Sequence, residues 1–128
     1  MADYLLDATA LIDYLRGRRG IIELVNTLAN QGHRLGLCCI SVAEVYAGLN
    51  EEERAGADRL TDAMDYYEIS REAAKEAGRY RYEFARRGTT LTTTDTLIAA
   101  TAIAEGAILI TANTRDFPME EIQLLAHP

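Results

Sequence analysis

The chain has 128 residues, of which 48% are apolar and 26% charged, and its formal net charge is −7. This length and composition predict a single globular domain over residues 1–128, and the negative charge argues against broad, nonspecific binding to nucleic acid. No segment reaches the roughly 20 apolar residues of a membrane-spanning helix, so no membrane partner is expected. The acidic start of the chain does not have the pattern of a signal peptide.

The two cysteines, Cys38 and Cys39, are adjacent in an apolar run. They lack the spacing of zinc ligands and cannot form a loop-closing disulfide. We therefore expect both to be small buried thiols of a protein in the reducing cytoplasm.

Short apolar runs alternate with helical periodicities along the whole chain. In order, the pattern predicts a strand at 5–6, a helix ending at 17, a helix at 21–32, a strand at 35–40, a helix at 41–48, a helix at 51–64, a strand at 66–69, a helix at 71–87, a helix at 95–105, a strand at 107–111 and an edge strand at 122–125. The helix at 95–105 is apolar nearly all round and should be buried. Alternating strands and helices predict a three-layer α/β domain, with a central, mostly parallel sheet of four to five strands and helices on both faces.

Four acidic residues lie beside these apolar runs: Asp7, Glu44, Asp95 and Asp116. Because ligands of open α/β sheets bind at the carboxyl ends of the strands, we expect the four carboxylates to meet in one pocket at that edge. Clustered carboxylates repel each other unless a cation neutralises them, and oxygen ligands favour Mg²⁺, with Mn²⁺ as the alternative. This arrangement indicates metal-assisted hydrolysis of a phosphate ester.

Each acid also has a purely structural explanation. Asp7 and Asp95 lie at the starts of helices and could be N-caps. Ser41 and Glu44 have the spacing of a capping box, and Asp116 could simply lie in a turn. However, helix capping does not require all four acids to face one edge of the sheet.

Small polar residues flank the acids. Thr9, Thr111 and Asn113 either cap helices and turns or hold carboxylates, metal waters and phosphate oxygens in place. The chain also has clustered arginines and a single lysine. The planar guanidinium of arginine can donate two parallel hydrogen bonds to a phosphate, which lysine cannot do. These clusters are either solvated surfaces or contacts to a nucleic acid.

Other active sites lack their signatures. There is no GxGxxG and no GxxxxGK[ST] motif, which excludes the common dinucleotide and P-loop sites. The two histidines, His33 and His127, are predicted at the surface, so no Ser-His-acid or Cys-His site is expected. A receiver-like signalling domain needs a lysine near its acidic pocket, whereas Lys75 lies within a helix. A haloacid-dehalogenase phosphatase needs Asp-x-Asp, and the second position here is Thr9.

Four motifs resemble those of one known family in order and spacing. They are DATALI at 7–12, SVAEVYAG at 41–48, TDTLIAATA at 94–102 and TANTRDF at 111–117. Together they resemble the four motifs of the PIN-domain nucleases. The length of the chain and the residues of these motifs are most similar to those of the VapC-type toxins of toxin–antitoxin pairs.

The resemblance implies a Mg²⁺-dependent endoribonuclease that forms a homodimer and is bound by a VapB-type antitoxin. By position, the four acids match the family's catalytic and metal-binding quartet, and Thr111 and Asn113 match accessory positions. Ala8 stands where the family frequently has a hydroxyl residue. The RNA substrate would be single-stranded or looped, because such regions expose their bases to proteins.

Two other functions fit the same fold. One is a PIN-domain ribonuclease of RNA processing that has no antitoxin, and the other is a catalytically silent dimerising module that binds RNA or protein. The aromatic residues Tyr80, Tyr82 and Phe84 on the long helix could form a docking surface for an antitoxin, a dimer interface or ordinary core.

Overall fold

The computed structural model of the protein describes residues 1–127. Its elements in chain order are β1 (Asp3–Leu6), α1 (Ala8–Leu15), α2 (Arg19–Asn30), β2 (Arg34–Cys38), α3 (Cys39–Ala47), α4 (Glu51–Asp62), β3 (Asp65–Tyr67), α5 (Arg71–Arg86), α6 (Thr93–Ala104), β4 (Ile108–Thr111), a 3₁₀ turn (Thr114–Asp116) and β5 (Gln123–Ala126). No helix in this part of the chain is long and apolar enough to cross a membrane.

The five strands form one parallel sheet in the order β3-β2-β1-β4-β5. The first strand is therefore central, between β2 on one side and β4 on the other. The α/β prediction is confirmed, and every strand pair is parallel. All carboxyl ends of the strands consequently lie at one edge of the sheet, which is called the carboxyl edge below.

The strands supply two cores, one on each face of the sheet, because successive strand residues point in opposite directions. Leu5, Cys38 and Leu109 pack with α5 and α6, whereas their neighbours Leu6, Leu37 and Ile110 pack with α1, α2 and α3. Such strands are buried on both faces, which explains why they are continuous apolar runs rather than alternating ones.

Helix α6 is buried as predicted, with Ile98, Ala99 and Ala102 in the core and Ala100 against α5. The hydroxyl of Thr101 is also buried and donates to the carbonyl of Leu97, 2.8 Å away. The buried helix stays helical with polar side chains inside because their hydroxyls bond to its own backbone. Its N-terminus lies at the carboxyl edge of the sheet.

Three predictions around β2 and α3 are wrong. The strand ends at Cys38, and α3 already begins at Cys39, which is exposed rather than buried. Ser41 is therefore a buried residue within the first turn of α3 rather than its N-cap, and the capping box with Glu44 is not formed. The apolar run passes from strand into helix without a turn residue, so periodicity alone could not locate the boundary.

The prediction that His127 lies at the surface is also wrong, since its side chain is fully buried. Its backbone N–H donates to the carbonyl of Thr111, because β5 pairs with β4 up to Ala126. On the long helix α5, Tyr80 is buried and Phe84 is half-buried against the core. Of its three aromatic residues, only Tyr82 is largely exposed.

Candidate active site

All four predicted acids line one cleft at the carboxyl edge of the sheet. The cleft has a volume of about 110 Å³ and is lined by Asp7, Ala8, Thr9, Glu44, Asp95, Ile98, Asn113, Asp116 and Phe117. None of these residues is basic. Residues from four separate segments of the chain thus form an acidic cleft whose wall provides no positive charge.

Asp7 is the most buried of the four acids, with 5% of its surface exposed. It follows β1 directly and is the N-cap of α1. Its Oδ1 accepts hydrogen bonds from the Thr9 hydroxyl at 2.6 Å and from the Ala10 N–H at 3.0 Å. The capping explanation is therefore correct for Asp7, and the same side chain also lines the cleft.

Two threonine hydroxyls join Asp7 to the loop that follows β4. Thr111, which is buried, donates to Oδ2 of Asp7 and accepts from the N–H of Asn113 at 3.0 Å. Thr9 donates to the other carboxylate oxygen and accepts from the N–H of Ala112 at 3.2 Å. Both oxygens of Asp7 are thereby fixed in orientation.

Asp95 lies in the first turn of α6 and is half-buried. It is not the N-cap of this helix, because Thr92 is the N-cap and its hydroxyl accepts from the Asp95 N–H at 3.1 Å. Glu44 projects from α3, and Asp116 ends the 3₁₀ turn; both are exposed. The four acids thus differ in burial: Asp7 is buried, Asp95 is half-buried, and Glu44 and Asp116 are exposed at the rim of the cleft.

The carboxylates influence each other's protonation. Burial raises the pKa of Glu44, and the negative charges of Asp95 and Asp7 raise it further. Burial likewise raises the pKa of Asp95, and the charges of Asp116 and Asp7 raise it further, whereas a side-chain hydrogen bond with Thr92 lowers it. Like charges brought together in a partly dry cleft disfavour full ionisation, so a bound cation would remove this repulsion.

The donor chemistry of the cleft fits Mg²⁺ or Mn²⁺. Its polar wall offers carboxylate, hydroxyl and amide groups, which these hard cations prefer. Within residues 1–127, no group of three or more His, Cys, Asp or Glu side chains is arranged to hold a metal ion. Mg²⁺ does not require such a group, because proteins commonly bind it through one or two carboxylates and leave other positions to water and phosphate.

Some residues of the site were not predicted. Thr92 supports Asp95 through the helix cap, and the N–H of Ala112 supports Thr9. The Thr-x-x-Asp spacing from Thr92 to Asp95 resembles an N-terminal capping pattern, but the adjacent threonines of this loop offered several equivalent choices. Ile98 and Phe117 are apolar walls of the cleft, and no local signal distinguishes them from core residues.

Comparison with known proteins agrees with the four motifs. The family model of the PIN domain matches residues 4–121, and the chain therefore belongs to the PIN-domain family. It is 35% identical to the ribonuclease VapC19 of Mycobacterium tuberculosis over 117 residues, which cover 90% of this chain and 92% of that protein. It is 30% identical to the ribonuclease VapC10 of the same species, over 91% of this chain and 87% of that protein. The resemblance to VapC-type proteins is thus confirmed.

The fold is also found in solved structures. The crystal structure of VapBC2 from Rickettsia felis, bound to a DNA fragment from its promoter, matches with a TM-score of 0.88. The match covers 98% of this chain and 99% of that chain at 21% identity. At this identity the likeness supports the fold alone.

Proposed function

We propose that the protein is a Mg²⁺-dependent endoribonuclease and the toxin of a VapBC-type toxin–antitoxin pair. The observation that supports this function best is the convergence of Asp7, Glu44, Asp95 and Asp116 on one cleft without a basic residue in its wall. The reaction is hydrolysis of an RNA phosphodiester bond. Relatives named as VapC ribonucleases support RNA as the substrate.

Each site residue has a distinct role in this proposal. Asp7 and Asp95 hold the cation directly, while Glu44 and Asp116 are further ligands or orient water at the rim. Thr9, Thr111 and Asn113 keep the carboxylate of Asp7 in one orientation through the hydrogen bonds described above. When bound, the metal supplies positive charge that activates water and offsets the negative charge of the transition state.

The partner in this proposal is a VapB-type antitoxin. The structural neighbour from Rickettsia felis is described as a VapBC complex bound to promoter DNA, and a further neighbour, from Klebsiella pneumoniae, is described as a toxin–antitoxin complex with a TM-score of 0.75 at 26% identity. We propose that this chain forms a homodimer and that a VapB-type antitoxin binds and neutralises it. A small DNA-binding protein encoded immediately upstream, which co-purifies with the chain and inhibits cleavage, would support this partner.

The activity can be tested with structured RNAs incubated with purified protein. We expect cleavage with Mg²⁺, none with EDTA, recovery when excess Mg²⁺ or Mn²⁺ is added back, and none with Asp7→Asn. Mass spectrometry of the products would establish that a phosphodiester bond was hydrolysed. Equal cleavage by the wild type in Mg²⁺, the wild type in EDTA and the Asp7→Asn variant would overturn the assignment.

The alternative function is a catalytically silent module that binds RNA or protein. Calorimetric titration with Mg²⁺ distinguishes the two functions. The nuclease binds Mg²⁺ and loses this binding in Asp95→Asn, whereas the silent module binds no Mg²⁺ in either form.

A further inference from the structure

Helix α5 carries two kinds of cation. Arg79 is ion-paired, with its guanidinium hydrogen-bonded to Glu76 and Glu83 and 3.9 Å from Glu121. Four others, Arg71, Lys75, Arg81 and Arg86, are exposed and have no carboxylate partner within residues 1–127. On a protein with a net charge of −7, a group of unpaired cations on one helix is a distinct electrostatic feature.

The unpaired cations share one side of the helix. At 3.6 residues per turn, Arg71, Lys75, Arg81, Tyr82 and Arg86 lie within an arc of about 140°; we call these five residues the basic face. All three glutamates of α5 lie outside this arc. Inside it, the remaining positions are Ala74, Gly78 and Ala85, whose small side chains leave the surrounding cations accessible.

Arg81 connects the basic face to the acidic cleft. Its Nε donates to the carbonyl of Leu91 at 3.0 Å, and its Nη1 donates to the hydroxyl of Thr93 at 2.8 Å. Thr93 is the first residue of α6, the helix that carries Asp95 in its first turn. Both acceptors are uncharged, so these bonds fix the guanidinium without cancelling its charge.

Tyr82 adds an aromatic surface to this charge. Tyr82 is 61% exposed, and the guanidinium of Arg86 lies 4.2 Å from the centre of the tyrosine ring. Aromatic rings beside cations stack nucleic-acid bases in proteins that bind single strands, and they do so with little sequence preference. The basic face thus offers both groups that contact a single-stranded nucleic acid, cations for the phosphates and an aromatic ring for a base.

We propose that the basic face binds the RNA strand where it leaves the cleft, with the four cations on phosphates and Tyr82 against a base. This inference rests on the proposed ribonuclease function. RNA needs such a surface because the cleft and the overall charge repel it, whereas the face attracts it and directs the strand towards Asp95. A second copy of the chain fits less well, since a twofold contact through this face would place cations against cations.

The test measures binding separately from cleavage. The probe is a fluorescein-labelled 20-nucleotide oligouridylate, titrated by anisotropy at several salt concentrations in an Asp7→Asn background that prevents hydrolysis. Lys75→Gln with Arg86→Gln removes two unpaired cations that have no ion pair to lose. Arg79→Gln is the matched control, because it removes the same type of charge from the ion-paired side of the same helix.

Each phosphate contact to a single strand contributes about 0.7 to the slope of log affinity against log salt. The double variant should therefore lower the slope by about 1.4, which corresponds to roughly 25-fold weaker binding at 0.1 M salt if affinity at 1 M is unchanged. Arg79→Gln should leave the slope unchanged. A double variant that matches the parent, or an Arg79→Gln variant with the same loss, would overturn the proposal.

Cleavage and self-association are measured as well. In the otherwise wild-type chain, Lys75→Gln with Arg86→Gln should slow the cleavage of a structured RNA at low RNA concentration, whereas Arg79→Gln should cut it as fast as the wild type. If the wild type cuts no RNA but the double variant still loses the salt-dependent binding, the proposed hydrolysis fails and the binding face stands. Sedimentation velocity supplies the last outcome: a double variant that dissociates a wild-type dimer would identify the face as an interface between copies and overturn the proposal.

Discussion

The sheet has an acidic cluster at each of its two edges, and the two clusters are built differently. The edge where the strands begin is called the amino edge here. At this edge Asp3 is the first residue of β1 and Asp65 the first residue of β3, and Arg34, the first residue of β2, lies between them. The Arg34 Nε is 3.6 Å from an Asp3 oxygen and 2.9 Å from an Asp65 oxygen. At the carboxyl edge, the cleft wall contains four acids and no cation. The chain neutralises the first cluster with its own arginine and provides no basic residue in the wall of the second.

Protonation follows the same division. The hydrogen bond with Asp65 and the charge of Asp3 raise the pKa of Arg34, so the amino-edge cluster stabilises its charged state. In the cleft, burial and neighbouring carboxylates raise the pKa of Glu44 and of Asp95. The two edges thus hold their carboxylates in opposite electrostatic surroundings, one beside a guanidinium and the other beside further carboxylates.

The largest expected difference between the clusters is in catalysis. Asp95→Asn should lower the rate of RNA cleavage more than about 100-fold, because loss of groups that merely support metal ligands already costs about 10–100-fold in affinity or activity. Asp65→Asn makes the same chemical change at the amino edge and should leave the rate unchanged. Single-turnover cleavage assays would measure both variants. Equal losses in the two would show that the contrast between the edges has no catalytic meaning.

A smaller effect is expected from the hydroxyl that orients Asp7. Thr111→Val keeps the shape of the side chain but removes the donor to Oδ2, so Mg²⁺ affinity should fall about 10–100-fold. Thr101→Val is the matched control, since Thr101 is equally buried but donates to the backbone of α6. Calorimetric titration of both variants would test this. Unchanged affinity in Thr111→Val would count against a positioning role.

Thermal stability should separate the clusters more modestly. A cation that binds only the folded protein adds about 2.7 kcal/mol at 100 times its dissociation constant, which corresponds to roughly 10 °C in a domain of this size. We expect Mg²⁺ to raise the melting temperature of the wild type and of Asp65→Asn by this amount. The increase should be much smaller in Asp95→Asn. A melting temperature that does not change with Mg²⁺ in any of the three proteins would contradict a metal site in the cleft.

The smallest effect concerns pH. Glu44 and Asp95 have pKa values raised by folding, so the metal-free folded state binds protons more tightly than the unfolded state. These two groups therefore destabilise the fold as pH rises from about 4, the ordinary carboxyl range, through their raised values. Melting temperatures in EDTA should show that Glu44→Gln gains stability relative to the wild type with increasing pH. A constant difference between the two proteins over this range would refute the coupling.

Much of the fold could be predicted because it depends on patterns that repeat. Apolar runs on a regular spacing identify the strands, and strand–helix alternation requires a parallel sheet whose carboxyl ends share one edge. That edge then places Asp7 and Asp95 together although 88 positions separate them in the sequence. The convergence of the acids thus follows from topology and needs no knowledge of side-chain contacts.

The rest depends on contacts that no local pattern encodes. The exposure of Cys39 follows from where β2 ends, and the burial of His127 follows from pairing of β5 with β4. Thr92 caps α6, although several threonines lie beside it. The path of the loop from α5 determines which of them becomes the cap, and Arg81 helps to fix this path through its hydrogen bonds to Leu91 and Thr93. These features are set by long-range packing, which overrides equivalent local choices.

The hydrogen bond from Thr111 to Asp7 has a consequence for the order of synthesis. It joins residues 104 positions apart, and β4 reaches the sheet only by pairing directly with β1. A ribosome that has made the chain only as far as α5 has synthesised Asp7 and Thr9, but neither Asp95 nor the Thr111 hydroxyl that holds the second oxygen of Asp7. The cleft therefore cannot assemble until β4 and the 3₁₀ turn have been made.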